Sequence, residues 1–381
     1  MKVLMLLSML LLPFSAYAQA PTSGPWEMQV SGTDASLRGI HSVGGGVVWA
    51  SGTNGTVLRT EDSGYMWQSC AMPPGAEKLD FRGIWAWDAD TAIVMSSGPG
   101  DQSRLYKTTD GCSHWTLLKT NSDKEGFWDA IQFSDTKNGY LLGDPVNGKF
   151  TLLRTEDGGT SWKPIDSPDL NVGPLHLGAF AASNSSIVLI GPVLGAISVP
   201  WIGTGGPQGP FVLQGGIDCT MGIAHSNPEA CLSHYDFQHI KLPLAGDNAS
   251  SGVFSMATPG QTNRVIRRAV AVGGDYTKPD ESAGTAAWTA DGGQHWAAAT
   301  KPPHGYRSAV AWDVDAKAWI AAGTNGSDIS YDNGKTWQPL DKGNWNALSL
   351  PWVVGPKGRI AKLGALPPPD ERSMPPLRLT H

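Results

Sequence analysis

Three arginines and three aspartates recur at equivalent positions of a repeating pattern of short apolar runs. They are Arg38, Arg82, Asp129, Asp144, Asp275 and Arg307. Each either opens an apolar run or follows the glycine that ends the next run, so all six are expected at one end of neighbouring strands. Because a guanidinium offers a planar fork of donors, the set predicts recognition of an acidic or carboxylate-bearing partner. The alternative is that these side chains pair with one another and merely tie neighbouring repeats together.

The six charged residues belong to a chain built from sequence repeats. Five segments share the pattern Ser/Thr-x-Asp-x-Gly/Cys-x-x-Trp, and they span Thr60–Trp67, Thr108–Trp115, Thr155–Trp162, Thr289–Trp296 and Ser330–Trp337. Their aspartates are Asp62, Asp110, Asp157, Asp291 and Asp332. The pattern is typical of the Asp-box, a turn in which the carboxylate accepts backbone N–H bonds, glycine takes a positive φ and tryptophan packs between strands. We therefore predict a structural role for these five aspartates.

The repeats predict an all-β, seven-bladed β-propeller. Where the spacing is regular, successive Asp-box aspartates are 48, 47 and 41 residues apart, and a four-stranded blade needs about 40–50 residues. Seven first strands can be aligned, with Gly178–Ser183 as the first strand of the fourth unit. The seventh unit is short, whereas Trp26–Val30 reads as an outer strand with none before it. We predict that this N-terminal strand completes the last blade and closes the ring.

The N-terminus predicts export. Lys2 precedes an apolar stretch from Val3 to Phe14, and Ala16-Tyr17-Ala18 matches the small-x-small cleavage pattern. A periplasmic or secreted location follows. The predicted organisation is a signal peptide at 1–18, a propeller at 19–365 with an insertion in blade four at about 201–240, and a Pro-rich flexible tail at 366–381.

Composition excludes several classes of protein. The 381 residues carry a net charge of −6 with only 16% charged residues, and no run of lysine and arginine occurs. A nucleic-acid binder is therefore not expected. No apolar stretch beyond residue 20 approaches the roughly 18 residues that a membrane span needs. We expect a monomer that needs no cofactor.

Four cysteines remain after the predicted cleavage, an even number for an oxidising compartment. Cys219 and Cys231 lie close together in one irregular segment and could close a short loop. Cys70 and Cys112 fall in successive repeats and could tie neighbouring blades. Four cysteines allow three connectivities, so this pairing is the preferred one among open alternatives. The spacing of cysteine and histidine residues does not favour a metal site.

Several motifs resemble those of a known family. They include SGTNGTVLRTEDSG (51–64), LGDPVNGKF (142–150), VGGDYTKP (272–279) and VGPKGRIAKL (354–363). The chain resembles the photosystem II stability/assembly factor-like branch of the BNR/Asp-box, sialidase-like propellers. The resemblance implies an exported, non-enzymatic propeller that serves as an assembly platform and binds a protein, namely a subunit of a membrane-associated complex. It also implies an arginine-bearing binding patch, for which Arg38, Arg82 and Arg307 are the candidates.

The same architecture also hosts glycoside hydrolases and glycan-binding propellers, which gives a second hypothesis by analogy of fold. The three arginines could imitate the arginine triad of a sialidase, with Tyr306 as nucleophile and Asp144 or Asp275 as acid. Against this, Leu37-Arg38-Gly39-Ile40 keeps only the arginine of the sialidase opening motif, and no glutamate occupies the repeated positions. A tyrosine nucleophile needs an adjacent base. A binding function is therefore favoured over hydrolysis.

Overall fold

The computed structural model describes residues 24–194, 197–217, 235–259 and 267–369. Within these ranges the chain forms 28 strands and three short 3-10 turns, which span Gly100–Gln102, Pro168–Leu170 and Gly173–Leu175. The strands make seven antiparallel sheets of four strands each, arranged as the blades of a propeller. The predicted all-β, seven-bladed propeller is confirmed.

The chain begins with an isolated strand and then builds three blades in order. The first strand is β1 (Trp26–Gln29). Blade one contains β2 (Leu37–Gly44), β3 (Val47–Gly52), β4 (Val57–Thr60) and β5 (Gln68–Ser69). Blade two contains β6 (Phe81–Ala86), β7 (Ala92–Ser96), β8 (Arg104–Thr108) and β9 (Thr116–Thr120). Blade three contains β10 (Trp128–Phe133), β11 (Gly139–Val146), β12 (Lys149–Thr155) and β13 (Lys163–Pro164).

The remaining blades follow the same antiparallel order, from an inner strand outwards. Blade four contains β14 (Ile187–Leu194), β15 (Ile197–Gly203), β16 (Phe211–Ile217) and β17 (Tyr235–Lys241). Blade five contains β18 (Ser251–Ala257), β19 (Ala269–Asp275), β20 (Ala286–Thr289) and β21 (Ala297–Ala298). Blade six contains β22 (Ala309–Asp313), β23 (Ala318–Gly323), β24 (Gly326–Ser330) and β25 (Gln338–Asp341). Blade seven contains β26 (Ala347–Ser349), β27 (Trp352–Val354) and β28 (Ile360–Leu363).

The N-terminal strand closes the ring, as predicted. β1 pairs antiparallel with β28, with Trp26 opposite Leu363. Blade seven therefore takes its outermost strand from the start of the chain and its other three from the end. The Trp26 indole N–H also donates to Ser327 Oγ of blade six at 2.8 Å. This exchange holds the two ends of the chain together and gives blade seven the same four strands as the other blades.

The core lies between neighbouring blades. Trp49 of blade one packs with Phe81, Ile84 and Tyr106 of blade two in one buried cluster. Because each sheet is covered on both faces, its second strand has no solvent face, and all five residues of β7 are buried. Short, continuous apolar runs in the sequence mark such strands.

Blade four differs from the prediction. Its inner strand is β14, which pairs with β15 from Ile187 opposite Ile202, and not the aligned run Gly178–Ser183. Asn184 separates the two runs, and its positive φ of 63° interrupts the extended chain at that point. Both runs are rich in small or apolar residues, and the repeat alignment chose the one that forms only an isolated bridge, from Gly178 to Gly205. We call residues 178–185 the axial segment.

The axial segment lies across the centre of the ring. The Asn184 amide accepts a hydrogen bond from the Ile131 N–H of blade three at 2.8 Å and donates to the Ile84 carbonyl of blade two at 3.2 Å. Ser183 Oγ donates to the carbonyl of Ser308, directly before blade six, at 2.6 Å. Contacts to inner strands on several sides place this segment inside the channel that the inner strands enclose.

The five Ser/Thr-x-Asp segments form turns with one shared hydrogen-bond pattern. In each, the aspartate Oδ1 accepts the backbone N–H four residues later at 2.8–3.1 Å. In the first turn, Thr60 Oγ1 donates to Asp62 at 2.7 Å and accepts from the Gly64 N–H at 3.1 Å. Gly64 has a φ of 89°, which a residue with a side chain rarely adopts. These carboxylates are thus engaged in their own turns.

The predicted disulfide between successive blades is confirmed. Cys70 follows the last strand of blade one, Cys112 lies in the turn of blade two, and the two are bonded with Cα atoms 5.3 Å apart. The other predicted pair, Cys219 and Cys231, lies outside the described residues. So do the predicted signal peptide and the tail from residue 370 onwards.

Part of the predicted insertion in blade four belongs to the blade itself. Of the stretch at about 201–240 that the sequence predicts as an insertion, residues 211–217 and 235–240 are blade strands. Among the residues that the structure describes, we find no helix with the length and apolar character needed to cross a bilayer.

Acidification is expected to destabilise the propeller through His41 on β2. The ring of His41 stacks on Trp85 at 4.2 Å, and burial lowers the pKa of His41 from 6.5 to about 4. The unfolded chain therefore binds a proton between pH 6.5 and 4 that the folded chain does not, so stability falls as pH falls through this window. Since His41 is only half-buried, we expect a loss of about 1–3 kcal/mol. Denaturant titrations at pH 7 and pH 4 measure it.

The matched control is His176, which is exposed. Its φ is positive, and asparagine tolerates that conformation. The pH dependence should become smaller in His41→Asn and stay as in the parent in His176→Asn. An unchanged pH dependence in His41→Asn would contradict this assignment.

Candidate functional site

A cavity of about 540 Å³ opens at the end of the ring where the inner strands begin. We call it the mouth cavity. Its principal lining residues are Arg38, Arg82, Asp129, Asp144, Phe180, Phe254, Tyr276, Tyr306 and Asn346. Blades one, two, three, five, six and seven and the axial segment all contribute to the lining. Four of the six charged residues singled out from the sequence therefore share one cavity, namely Arg38, Arg82, Asp129 and Asp144.

β-Bulges bring four of these side chains into the cavity. The register of the inner strand shifts after the first pair in blades one, two and three and after the third pair in blade five, and the extra residues are Arg38, Arg82, Asp129 and Phe254. A bulge bends its strand and redirects a side chain. The residues that follow are small in every case: Gly39, Gly83, Ala130 and Ser255. At Gly39, a Cβ atom would lie 2.6 Å from Ser51 Oγ, which explains the need for a small residue there.

Two arginines share one carboxylate at the cavity wall. The Asp80 Oδ2 atom lies 2.8 Å from Arg82 Nε and 3.5 Å from Arg38 Nε. Arg82 also donates to the carbonyl of Ala181 in the axial segment at 3.3 Å. Burial, followed by the nearby Arg82 guanidinium, lowers the pKa of Arg38 from its usual value. Two guanidinium groups on a single carboxylate leave an excess positive charge, and the side chains remain 30% and 27% exposed.

Two carboxyl groups lie in the same cavity. Asp129 is 1% exposed, and its Oδ2 atom has no hydrogen-bond partner among the described residues. Burial, and then the neighbouring Asp144, raises the pKa of Asp129 well above its usual range. Asp144 Oδ1 accepts the Ala179 N–H of the axial segment at 2.9 Å, and burial raises the pKa of Asp144 as well. Both groups thus favour the protonated form more than a free aspartate does.

An aromatic wall completes the lining. Phe180 of the axial segment stacks on Phe254 with ring centroids 3.7 Å apart. Tyr306 meets Phe254 edge to face at 4.8 Å, and Tyr276, which is 52% exposed, lies 6.1 Å from it. Such a wall binds apolar or planar groups. Sequence reasoning missed Phe254 because it aligned Gly252 with the arginines. Aligning Phe254-Ser-Met with Arg38-Gly-Ile would have identified Phe254. In both triplets a small residue and then an apolar residue follow the side chain that lines the cavity.

Arg307 lies elsewhere. Its side chain is fully buried, and its Nε donates to Asp328 Oδ2 at 2.6 Å. Its two Nη atoms contact the Tyr306 carbonyl and Asn325 Oδ1 at 2.6 Å each and His304 Nδ1 at 2.9 Å. The hydrogen bond with Asp328 raises the pKa of His304. No bulge redirects Arg307, which precedes β22, so the structure places it in an internal network of blade six.

Asp275 is also separate from the mouth cavity. Its Oδ1 accepts hydrogen bonds from Ser250 Oγ at 2.7 Å and Thr277 Oγ1 at 2.6 Å, and its Oδ2 accepts from Asn248 at 3.3 Å. Although burial opposes the change, these donors lower the pKa of Asp275 to about 2. The carboxylate therefore holds the loops of blade five together.

These features define the class of protein as a seven-bladed β-propeller with a charged and aromatic cavity at one mouth. The sequence matches no described protein family and no curated protein. Solved structures, however, share its fold over most of the chain. YCF48 bound to D1 peptide superposes with a TM-score of 0.57 at 14% identity, covering 91% of this chain and 99% of the other. YCF48 from Cyanidioschyzon merolae superposes with a TM-score of 0.56 at 18% identity, covering 89% and 98%.

A glycoside hydrolase has a similar fold as well. An ancestral GH74 enzyme superposes with a TM-score of 0.50 at 13% identity, and the match covers 88% of this chain but 42% of that one. At these identities the likeness establishes the fold. The resemblance that the sequence motifs suggest is therefore confirmed at the level of a seven-bladed, YCF48-like propeller.

Proposed function

We propose that this chain is an exported, non-enzymatic platform that binds a protein subunit of a membrane-associated complex through the mouth cavity. The observation that carries the proposal is the arginine pair: Arg38 and Arg82 share the single carboxylate of Asp80 among the described residues and remain partly exposed at the cavity. Guanidinium groups in such a setting bind carboxylates by charge-assisted hydrogen bonds. The partner therefore presents an acidic segment to the mouth.

The comparison with YCF48 supports a protein as the partner. One YCF48 structure contains a D1 peptide, so a propeller of the same overall fold is able to bind a peptide. Loops and strand ends at the mouth of a propeller carry recognition, while packing between blades supplies stability. We extend this mode of binding to the present chain, together with the export that its first 18 residues predict.

Removing the two guanidinium groups should weaken partner capture. We expect Arg38→Ala/Arg82→Ala to recover the partner from envelope extract about tenfold less well than the parent, since each arginine supplies a charged hydrogen bond. The control is Arg267→Ala/Arg268→Ala, which removes the same charge from exposed positions outside the cavity. Quantitative mass spectrometry of the bound proteins gives the result. Equal recovery by both double variants would refute the proposed surface.

Hydrolysis of a glycoside is the second candidate, because two carboxyl groups with raised pKa values, Asp129 and Asp144, line one cavity. Tyr306 does not fit the role of nucleophile, since burial raises its pKa and no glutamate lines the described part of the cavity. We expect the purified chain to release no reducing sugar from oligosaccharides. Turnover that Asp129→Asn and Asp144→Asn each abolish would favour the hydrolase.

A further inference from the structure

Asp129 is an unusual group for a site that binds only anions. Its carboxyl is buried, lines the mouth cavity and leaves Oδ2 without a hydrogen-bond partner in the described ranges. Buried polar atoms are nearly always paired, and an unpaired one costs about 1–3 kcal/mol. An atom left in this state at a cavity wall marks a position that a ligand group can satisfy. Asp144, beside it, uses one oxygen for the Ala179 N–H.

Groups of opposite charge therefore line the same space. The arginine pair supplies donors to an anion, and Arg38 Nε itself makes no hydrogen bond among the described residues. The two carboxyl groups supply acceptors to a cation. Phe180 and Phe254 add an apolar surface to the same cavity. An anion alone would satisfy the arginines but would offer no donor to Oδ2 of an ionised Asp129.

We propose that the mouth cavity binds a zwitterionic group, with its carboxylate on Arg38 and Arg82, its ammonium on Asp129 and Asp144, and the apolar linker against the aromatic wall. The inference rests on the proposed function and adds the chemistry of the partner segment. That segment presents an acidic group and a primary ammonium a short distance apart, as an acidic residue next to a lysine does. The cavity of about 540 Å³ has room for such a pair and a linker.

The charged surroundings of Asp129 predict how binding depends on pH. The titratable groups that face it are Asp144 on β11 and Arg82 on β6, while β14 and the axial segment carry none. An ammonium placed beside Asp129 favours its carboxylate form, so binding releases a proton. Affinity for a zwitterion should accordingly rise with pH until Asp129 is ionised in the free protein.

A matched set of small probes tests the proposal by calorimetry on the full mature chain. 4-(Aminomethyl)benzoate and 3-(aminomethyl)benzoate carry both charges at two separations, whereas benzoate and benzylamine carry one each. We expect one zwitterion to bind about tenfold or more tightly than benzoate, as a charged hydrogen bond allows. Asp129→Asn should remove that advantage, so that the zwitterion binds the variant no more tightly than benzoate binds it. If Asp129→Asn does not fold, Asp144→Asn provides the same comparison.

The outcomes separate this inference from the proposed function. Equal affinities for zwitterion and benzoate, no binding of any probe, or a zwitterion advantage that survives both carboxyl variants would overturn the inference. If partner capture still depends on Arg38 and Arg82 in those cases, the proposed function stands without it. If the zwitterion advantage holds but capture is independent of the arginines, the cavity takes a free small molecule and the proposed function is wrong.

Discussion

Replacing Arg307 by alanine is expected to lower the free energy of unfolding by about 3–5 kcal/mol, because the change takes the guanidinium away from the buried Asp328 carboxylate, which then keeps only its contacts with His304 among the described residues. Arg307 is 0% exposed and Asp328 1%. The Arg307 Nε and one Nη both bond Asp328 Oδ2. The remaining donors of the guanidinium reach the Tyr306 carbonyl and Asn325. Alanine removes all of these bonds at once and opens a void the size of the side chain.

An exposed ion pair provides the comparison. Lys278 and Glu281 lie 3.5 Å apart with side chains 62% and 52% exposed. Lys278→Ala should therefore change the free energy of unfolding by less than about 1 kcal/mol. Equilibrium denaturation in urea, with a common slope for parent and variants, yields both values. If Arg307→Ala lowers the free energy of unfolding by less than about 1 kcal/mol, the hydrogen-bond network around Arg307 does not stabilise blade six.

The placement of Arg307 also bears on how binding experiments are designed. An arginine whose loss destabilises the fold reduces partner capture for reasons unrelated to recognition. Arg38 and Arg82 differ, since both remain partly exposed. Variants of these two residues therefore report on the mouth cavity itself.

Replacing Asn184 by alanine is expected to cost about 2–4 kcal/mol, because two buried backbone groups lose their partners. The Asn184 side chain pairs with the Ile131 N–H and with the Ile84 carbonyl, and the residue is 5% exposed. A Cβ at Gly83 would lie 3.0 Å from Asn184 Oδ1, which shows how closely the segment packs. Because the axial segment lines the mouth cavity through Phe180, the same change should also weaken zwitterion binding.

Asn184 has a positive φ, so part of the cost in alanine comes from the backbone. Asn184→Gly separates the two effects, since glycine adopts this conformation freely while lacking the amide. We expect Asn184→Gly to retain most of the loss seen in Asn184→Ala. Thermal and urea denaturation of the three proteins give the comparison. If Asn184→Gly is as stable as the parent, the hydrogen bonds of the Asn184 side-chain amide contribute nothing to the free energy of unfolding.

Local chemistry explains why so much of the architecture could be read from the sequence. The five aspartate turns and the strand spacing between them are short-range patterns, repeated with little change. The N-terminal strand could be assigned to the last blade because the seventh unit is one strand short, whereas Trp26–Val30 is a single strand with no unit of its own. The bond between Cys70 and Cys112 was the preferred pairing because the two residues fall in successive repeats.

Contacts between distant residues explain what the sequence left open. Arg38 and Arg307 open similar runs, yet one lines the mouth cavity and the other is buried on Asp328, because a bulge redirects only the first. The run Gly178–Ser183 resembles an inner strand. In the structure β14 is the inner strand of blade four, and the run lies in the channel instead.

The number of blades, the turns between strands and the closure of the ring follow from the sequence, which also supplies the charged residues that could meet at one mouth. Which of those residues do meet depends on the tertiary structure. The reason is physical, since periodicity and turn chemistry act over a few residues, whereas the direction of a side chain at a bulge and the partner of a buried charge depend on neighbours far along the chain. The mouth cavity, with Arg38, Arg82 and Asp129 facing one space, is a product of that second level.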